Sequence, residues 1–143
     1  NTYGPGDMNW TRLIPDAIRC ALEGRAFEIR SDGLMQRDFM YVGDAVEGYM
    51  LLAESLERPE VRGEAFNFGT GEPKTVLEVT QNIFDIVGGP QKEPVVLNQA
   101  TAEIPIQYLG VGKAERVWGW HPKVDLEQGL RLSVDWYREF LAR

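Results

Sequence analysis

The feature that most constrains the fold of this chain is the alternation of short apolar segments with amphipathic helices. Apolar residues recur at helical spacing in several stretches, and Gly or Pro separates these stretches from short segments of strand-like composition. The predicted helices cover about 14–22, 45–57, 76–87, 112–118 and 126–142, and the predicted strands cover 27–30, 35–42, 64–68, 94–97 and 104–109. This pattern predicts an α/β, or α+β-like, small domain with a short mixed sheet and about five helices.

The segment from Gln36 to Asp44 predicts a short strand that runs directly into a helix. Aromatic and β-branched residues fill its second half, and Asp44 stands where a helix N-cap is expected. Arg37 lies on this strand shortly before the junction. A guanidinium there suits an anion such as phosphate, whereas a structural pair with Asp38 is the alternative interpretation.

Two local signals refine the predicted boundaries. The turn Ser31–Gly33 separates the strands at 27–30 and 35–42, which makes these strands candidate partners in a hairpin. Pro15 is expected at the first position of the first helix, because the N–H that proline lacks has no acceptor at that position.

Composition argues against several classes of protein. The formal net charge of −7 argues against a nucleic-acid-binding face, which would need clustered Lys and Arg. No apolar run approaches the roughly 18 residues of a membrane span, and no signal peptide is visible, so a cytoplasmic protein is expected. Cys20 is the single cysteine, which leaves no disulfide framework and predicts a buried thiol.

The sequence lacks the common motifs of nucleotide binding and catalysis. Gly69-Thr70-Gly71 follows a predicted strand, but Lys74 occupies the third glycine position of a dinucleotide fingerprint. A turn with positive φ is therefore the simpler interpretation of these glycines. No P-loop occurs, and His121, the only histidine, is expected to be structural.

Five motifs follow one another along the chain: Asn1-x-Tyr3-Gly4-Pro5-Gly6, Arg12-Leu13-Ile14-Pro15, Arg37-Asp38-Phe39-x-Tyr41-Val42-x-Asp44, Phe66-Asn67-Phe68-Gly69-x-Gly71, and Gly119-Trp120-x-Pro122 followed by Leu126-Glu127-x-Gly129-Leu130. In this order they resemble the C-terminal half of the extended short-chain dehydrogenase/reductases, the NAD-dependent nucleotide-sugar epimerase and dehydratase family. Three further segments look most like the CDP-glucose 4,6-dehydratase branch: Asp7-x-Asn9-x-x-Arg12, Ile29–Gly33 and Glu103-Ile104-x-x-Gln107-Tyr108-Leu109.

The resemblance implies that residues 1–143 form one substrate-binding domain, the C-terminal lobe of a two-lobe enzyme. In this family an N-terminal Rossmann lobe holds NAD or NADP and carries a catalytic Tyr-x-x-x-Lys, and none of the 5 tyrosines here has a lysine four residues later. The full-length enzyme is therefore expected to bind NAD or NADP mainly through a lobe missing from this chain. No catalytic residue and no bound cofactor are expected in the chain itself.

The resemblance also implies a site for a nucleoside diphosphate sugar, with a CDP-sugar favoured. Arg37 would hold the diphosphate, and Arg12 with Leu13 would meet the nucleotide phosphates. The other implied contacts are Asn1 near the sugar and diphosphate, Asn67 at the nucleotide, Phe27 and Ile29 beside the base, and Glu103 near the ribose hydroxyls. Many relatives have an Arg-x-Gly-Asp-like segment there, whereas this chain has Ala100-Thr101-Ala102-Glu103.

Two classes of function remain open from the sequence. The first is part of an NAD-dependent sugar-nucleotide 4,6-dehydratase, a lyase, with a nucleotide-sugar epimerase of the same family as its alternative. The second is a free-standing, non-catalytic binding or interaction domain. Because Asn1 lies inside a motif, we expect a fragment whose partner is its own Rossmann lobe, and an uncovered apolar face would favour homo-oligomers.

Overall fold

The computed structural model describes residues 1–89, 93–100 and 104–143. Within them the chain forms helices α1 (Leu13–Leu22), α2 (Val42–Glu54), α3 (Val76–Val87), α4 (Gly112–Trp118) and α5 (Leu126–Leu141). Its strands have two residues each: β1 (Thr2–Tyr3), β2 (Glu28–Ile29), β3 (Gln36–Arg37), β4 (Met40–Tyr41), β5 (Lys74–Thr75), β6 (Val95–Val96) and β7 (Ile106–Gln107). The predicted small α/β domain with five helices is confirmed.

The described strands form three small sheets. β1 pairs with β4 and β2 pairs with β6, both in parallel. In the third sheet β3 is central, with β5 antiparallel on one side and β7 parallel on the other. Parallel partners need long crossover connections, which the helices between these strands provide.

The predicted hairpin between 27–30 and 35–42 is wrong. β2 pairs with β6, whereas β3 pairs with β5 and β7. The turn between them is fixed on α3 instead, because the carbonyl of Gly33 accepts a hydrogen bond from the N–H of Leu77 at 3.0 Å. The chain is thereby led away from β2 before the next strand begins.

The predicted single strand over 35–42 and the predicted N-cap are also wrong. The segment divides into β3 and β4, and α2 begins at Val42, with Tyr41 at the N-cap. Asp44 lies in the first turn, where its buried carboxylate accepts hydrogen bonds from the N–H groups of Lys123 at 2.9 Å and Val124 at 3.2 Å. The carboxylate of Asp44 is therefore bound by a loop that is distant in sequence, whereas local capping preference alone would place Asp44 at the N-cap.

The remaining boundaries follow the sequence more closely. Helices α3 and α4 have the predicted limits, while Pro15 is the third residue of α1 rather than the first. Its position is still in the first turn, where the missing N–H breaks no intrahelical bond. The predicted strand at 64–68 is wrong, because Phe66 and Phe68 pack on Trp118, with ring centroids 4.5 and 6.0 Å away, instead of joining a ladder.

One large apolar cluster joins α1, α3 and α5, with Ile18, Ile83 and Leu130 completely buried. Cys20 is buried in this cluster, as the sequence predicts. A smaller cluster joins β4, α2 and α4 through Met40, Ala45, Ala114 and Trp120. Among the residues that the structure describes, no helix combines the length and apolar character needed to span a membrane.

Candidate functional site

Two adjoining cavities at the start of α1 gather most of the residues predicted to bind a nucleotide. The smaller one, about 140 Å³, is lined by Asn1, Arg12 and Leu13 among others. The larger groove, about 590 Å³, is lined by Arg12 and Leu13 again, together with Phe27 and Ile29. Arg12 and Leu13 line both cavities, so the two cavities are neighbours on the surface and the five residues lie around them.

Arg12 occupies the N-cap position of α1 and ties the first loop to β1. Its guanidinium donates hydrogen bonds to Oδ2 of Asp7 and to the carbonyl of Thr2, each at 2.8 Å. The side chain is 43% exposed, so solvent weakens the ion pair with Asp7. An incoming phosphate would therefore compete with Asp7 for a cation that already faces the cavity.

The side chains of Phe27 and Ile29 are buried, at 6% and 2% exposure. Only the main chain of this segment can therefore lie beside a base. The carbonyls of both residues accept hydrogen bonds from β6 and its neighbour, from the N–H groups of Val95 and Leu97 at 2.8 Å. This pairing makes the edge of the groove rigid.

Tyr3, which lines the smaller cavity, and Tyr137, which packs beneath the first loop, are neutral donors. Burial raises the pKa of Tyr3, and its hydroxyl donates to the carbonyl of Leu126 at 3.3 Å. Burial likewise raises the pKa of Tyr137 to about 12, and its hydroxyl donates to the carbonyl of Asp7. Both phenols stay protonated near neutral pH, so they suit holding the loop in place rather than removing a substrate proton.

Arg37 lies on β3, the central strand of the three-stranded sheet, and is not among the described residues that line the two cavities. Its Nη1 donates hydrogen bonds to the carbonyls of Gln36 and Ile104, each at 2.8 Å. The guanidinium thus ties β3 to the segment that leads into β7. Glu103, which immediately precedes Ile104, lies outside the described residues, and the roles predicted for Arg37 and Glu103 stay predictions.

Asp38, the residue after Arg37, is bound to the Gly69–Gly71 loop. Its buried carboxylate accepts hydrogen bonds from the N–H of Thr70 at 2.9 Å, from Oγ1 of Thr70 at 2.6 Å and from the N–H of Gly71 at 3.1 Å. Burial acts to raise the pKa of Asp38, but hydrogen bonds from Thr70, Gly71 and Leu109 outweigh it and hold the pKa below its ordinary value. Asp38 is therefore ionised and engaged with this loop.

The carboxylate of Asp38 explains why glycine is needed in the Gly69–Gly71 loop. A Cβ at Gly69 would lie 2.5 Å from Oδ2 of Asp38, so only glycine lets the two approach. Gly71 has a φ of +72°, which confirms the predicted positive-φ turn. Such loops bind anions through their N–H groups, and here Asp38 already fills that position, so the loop does not fit the pyrophosphate of a dinucleotide.

Asn67 precedes the same loop. Its Nδ2 donates a hydrogen bond to the carbonyl of Gly110 at 3.3 Å, which links the loop to the approach of α4. Asn67 is not among the described residues of the two cavities, so its contact with a nucleotide also stays a prediction.

Two arginines of the larger groove were missed from the sequence. Arg25 and Arg30 line it together with Arg12, on either side of the strand predicted to lie beside the base. Arg25 forms an ion pair with Glu23 at 2.6 Å, and both side chains are largely exposed. The sequence does contain a signal for them, since one arginine stands at each end of the segment 26–29 that was predicted to lie beside the base.

Metal chemistry has no support in the part of the chain that the structure describes, where no group of three or more His, Cys, Asp or Glu side chains could hold an ion. His121 is exposed, and its Nε2 lies 3.6 Å from Oε1 of Glu115.

Part of the chain matches a known protein family. Residues 1–69 match the model of the NAD dependent epimerase/dehydratase family. This match and those with the relatives below are to members of the NAD-dependent epimerase/dehydratase family, in agreement with the family resemblance seen in the motifs.

Individual relatives cover nearly the whole chain. It is 34% identical over 146 residues to UDP-N-acetyl-alpha-D-glucosaminuronate decarboxylase of Bacillus cytotoxicus, which aligns 97% of this chain with 44% of that protein. UDP-glucose 4-epimerase of Thermotoga maritima, solved with UDP-glucose, matches with a TM-score of 0.86 and 34% identity, over 99% of this chain and 44% of that one. The dTDP-glucose 4,6-dehydratase of Bacillus anthracis, solved with NAD, gives 0.81 and 29%, over 97% and 42%.

The chain therefore spans less than half the length of the relatives it matches. The names of these relatives refer to UDP- and dTDP-sugars, so the resemblance to the CDP-glucose 4,6-dehydratase branch stays a prediction.

Proposed function

We propose that this chain is the nucleotide-sugar-binding part of an NAD-dependent enzyme of the epimerase/dehydratase family. The observation that carries the proposal is the gathering of Asn1, Arg12, Leu13, Phe27 and Ile29 around two adjoining cavities. These residues come from three separate segments within the first 29 residues, and the family resemblance predicts a nucleotide contact for each of them.

The site suits binding and orientation. Arg12 provides a charge-assisted donor for a phosphate, worth roughly 1.5–3 kcal/mol if the pair is largely desolvated. The main chain of β2 provides a fixed edge beside the base, with Arg25 and Arg30 as further cations around the groove. NAD, when bound, supplies the redox chemistry, whereas the protein supplies binding and positioning. We propose that NAD or NADP is bound mainly by an N-terminal Rossmann lobe of the full-length enzyme, and the contacts of Asp38 with the Gly69–Gly71 loop support this.

The proposal predicts weak binding of nucleoside diphosphate sugars to the 143-residue chain, because half of the site is absent. Titration calorimetry should show about tenfold weaker binding for Arg12→Ala and for Arg37→Ala, the loss expected when one charged donor is removed. Arg131→Ala is the matched control, since Arg131 is an exposed arginine paired with Glu127 at 2.6 Å on α5. If Arg37→Ala binds these ligands as tightly as the wild type, Arg37 is not part of the site. If the wild-type chain binds none of the nucleoside diphosphate sugars tested, the proposal is contradicted.

The same titrations decide which sugar nucleotide is preferred. We propose a CDP-glucose 4,6-dehydratase from the branch motifs, and a UDP-sugar enzyme is the second candidate because close relatives are named for UDP-sugars. Tightest binding of CDP-glucose supports the first candidate, and tightest binding of a UDP-sugar supports the second.

The reading frame upstream of Asn1 separates an enzyme from a free-standing binding domain. A Rossmann segment with a Tyr-x-x-x-Lys motif supports the enzyme. A start codon directly before Asn1 would contradict it and leave a non-catalytic binding domain.

A further inference from the structure

The segment from Phe27 to Arg30, which contains β2, divides its side chains between the core and the larger groove. Phe27 and Ile29 are buried, whereas Glu28 and Arg30 are exposed and line the groove. This alternation follows from strand geometry, in which successive side chains point to opposite faces. One carboxylate and one guanidinium therefore stand on the same face of this segment, beside the predicted position of the base.

Glu28 and Arg30 differ from the other charged residues of the groove. Those residues form ion pairs: Arg12 with Asp7, Asp16 with Arg19, and Arg25 with Glu23. In the part of the chain that the structure describes, the side chains of Glu28 and Arg30 have no hydrogen bond and no ion pair. A ligand can therefore bind to both side chains without breaking an internal contact.

The main chain holds both residues in place but does not distinguish between pyrimidines. The carbonyl of Arg30 accepts hydrogen bonds from the N–H groups of Gln99 at 2.7 Å and Ala100 at 3.0 Å. The carbonyls on either side of Glu28 pair with β6, so the N–H and carbonyl of Glu28 itself are directed away from β6. Cytosine and uracil each offer a donor next to an acceptor, so one N–H and one carbonyl can bind to either base. Selection of the base requires the side chains.

Cytosine and uracil differ at position 4 of the ring. Cytosine has an amino donor there and a carbonyl acceptor at position 2, whereas uracil has carbonyl acceptors at both positions. A carboxylate accepts a hydrogen bond from the amino group of cytosine but repels the carbonyl that uracil has in its place. A guanidinium donates to the carbonyl at position 2, which both bases share. The Cα atoms of Glu28 and Arg30 are about 6.5 Å apart in extended chain, which lets the two side chains reach opposite ends of one pyrimidine.

We propose that Glu28 and Arg30 recognise the base of the bound nucleotide and select cytosine. The carboxylate of Glu28 accepts a hydrogen bond from the 4-amino group, and the guanidinium of Arg30 donates to the 2-carbonyl. Arg30 thus holds either pyrimidine, and Glu28 makes the choice between them. The inference rests on the proposed function and deepens it, because it names the residues that determine which nucleotide is bound.

The test measures the dissociation constants of CDP and UDP by titration calorimetry, because these two ligands differ only in the base. The wild-type chain should bind CDP about tenfold more tightly than UDP, or more. In Glu28→Gln this preference should disappear, since an amide can accept from the 4-amino group or donate to the 4-carbonyl. In Arg30→Ala both ligands should bind about tenfold more weakly, with the preference for CDP unchanged.

Glu139→Gln is the matched control for Glu28→Gln, because Glu139 is exposed on α5 and its replacement changes the net charge by the same amount. This variant should keep the preference of the wild type. Each comparison is a ratio of two ligands on one protein, so partial unfolding of a variant weakens both affinities and leaves the ratio unchanged.

Three results would overturn the inference. They are a wild-type chain that binds UDP as tightly as CDP, a Glu28→Gln variant that keeps the preference for CDP, and an Arg30→Ala variant that binds both ligands as tightly as the wild type. In each case nucleoside diphosphates still bind, so the proposed function stands and this inference alone fails. A wild-type chain that binds neither CDP nor UDP overturns the proposed function and this inference with it.

Discussion

Helices α5 and α2 both contact the strand pair β1–β4, but their outward surfaces are opposite in character. The outer face of α5 carries ion pairs between Arg131 and Glu127 at 2.6 Å and between Arg138 and Asp135 at 3.1 Å. The outer face of α2 instead exposes the apolar side chains of Val46, Tyr49 and Met50. A helix with one apolar and one charged face needs a single packing partner, whereas a helix that is apolar on both faces needs two.

This difference between α5 and α2 shows around which helix the apolar core is closed. Around α5 the core closes, because α1 and α3 cover its apolar side and water covers the other. Around α2 only the side towards Met40, Ala45 and Trp120 is covered. The first and third predictions below test this contrast, and the second tests the buried carboxylate of Asp38. The largest expected effect comes first.

Leu130→Ala should destabilise the 143-residue chain by about 2–5 kcal/mol, because Leu130 is completely buried in the closed core and its loss leaves a cavity. Urea unfolding measures the change. Leu132→Ala, two residues along the same helix and 43% exposed, should change the unfolding free energy by less than about 0.5 kcal/mol. Similar costs for the two substitutions would mean that α5 does not have one closed and one solvated face.

Asp38→Asn should destabilise the chain by about 1–3 kcal/mol at neutral pH, because a buried carboxylate that accepts three hydrogen bonds is lost. The pKa of Asp38 is lowered in the folded state. Its stabilising contribution is therefore fully present above the unfolded carboxyl pKa of about 4 and is lost as pH falls through the lower folded value.

The pH dependence separates this role from general packing. The difference in unfolding free energy between wild type and Asp38→Asn should be constant from neutral pH to about 5 and should shrink below about pH 4. Asp135→Asn, on the exposed face of α5, is the control and should leave the stability almost unchanged. A difference that did not vary with pH would show that the charge of Asp38 is not what holds the loop.

Tyr49→Ser should change the stability of the 143-residue chain by less than about 0.5 kcal/mol, because Tyr49 is 71% exposed there. In the full-length protein the same substitution should be clearly destabilising, since it would then remove buried aromatic area. Thermal unfolding of both proteins checks this. Equal effects in the two proteins would remove the contrast between α2 and α5.

The sequence predicted the elements with strong local signals. Helix α3 has its predicted limits because Thr75 and Glu78 form a capping box at its start and Gly88 ends it with a φ of +67°. Helix α4 ends at Gly119, in the left-handed conformation. In both cases the residues that define the boundary lie within one or two turns of it, so neighbouring residues are enough to locate it.

The candidate site was predicted in part. The family resemblance predicts a nucleotide contact for Asn1, Arg12, Leu13, Phe27 and Ile29, and all five line one or both of the two cavities. Arg25 belongs to no motif, and Arg30 lies in the Ile29–Gly33 segment, for which no contact of Arg30 was predicted. Only the cavity revealed these two arginines. The sequence also could not show that Phe27 and Ile29 can meet a base only through their main chain. Burial of their side chains depends on packing with residues elsewhere in the chain.

The sequence by itself determined the class of fold, most helix limits and the family resemblance. Tertiary structure alone decided how the strands pair, where the carboxylates of Asp38 and Asp44 lie, and which face of α2 stays uncovered. The physical reason is distance along the chain. Asp38 meets Thr70 and Asp44 meets Lys123, so their partners are 32 and 79 residues away. Strands of two residues likewise carry too little local preference to select a partner, and the packing of the whole domain selects it for them.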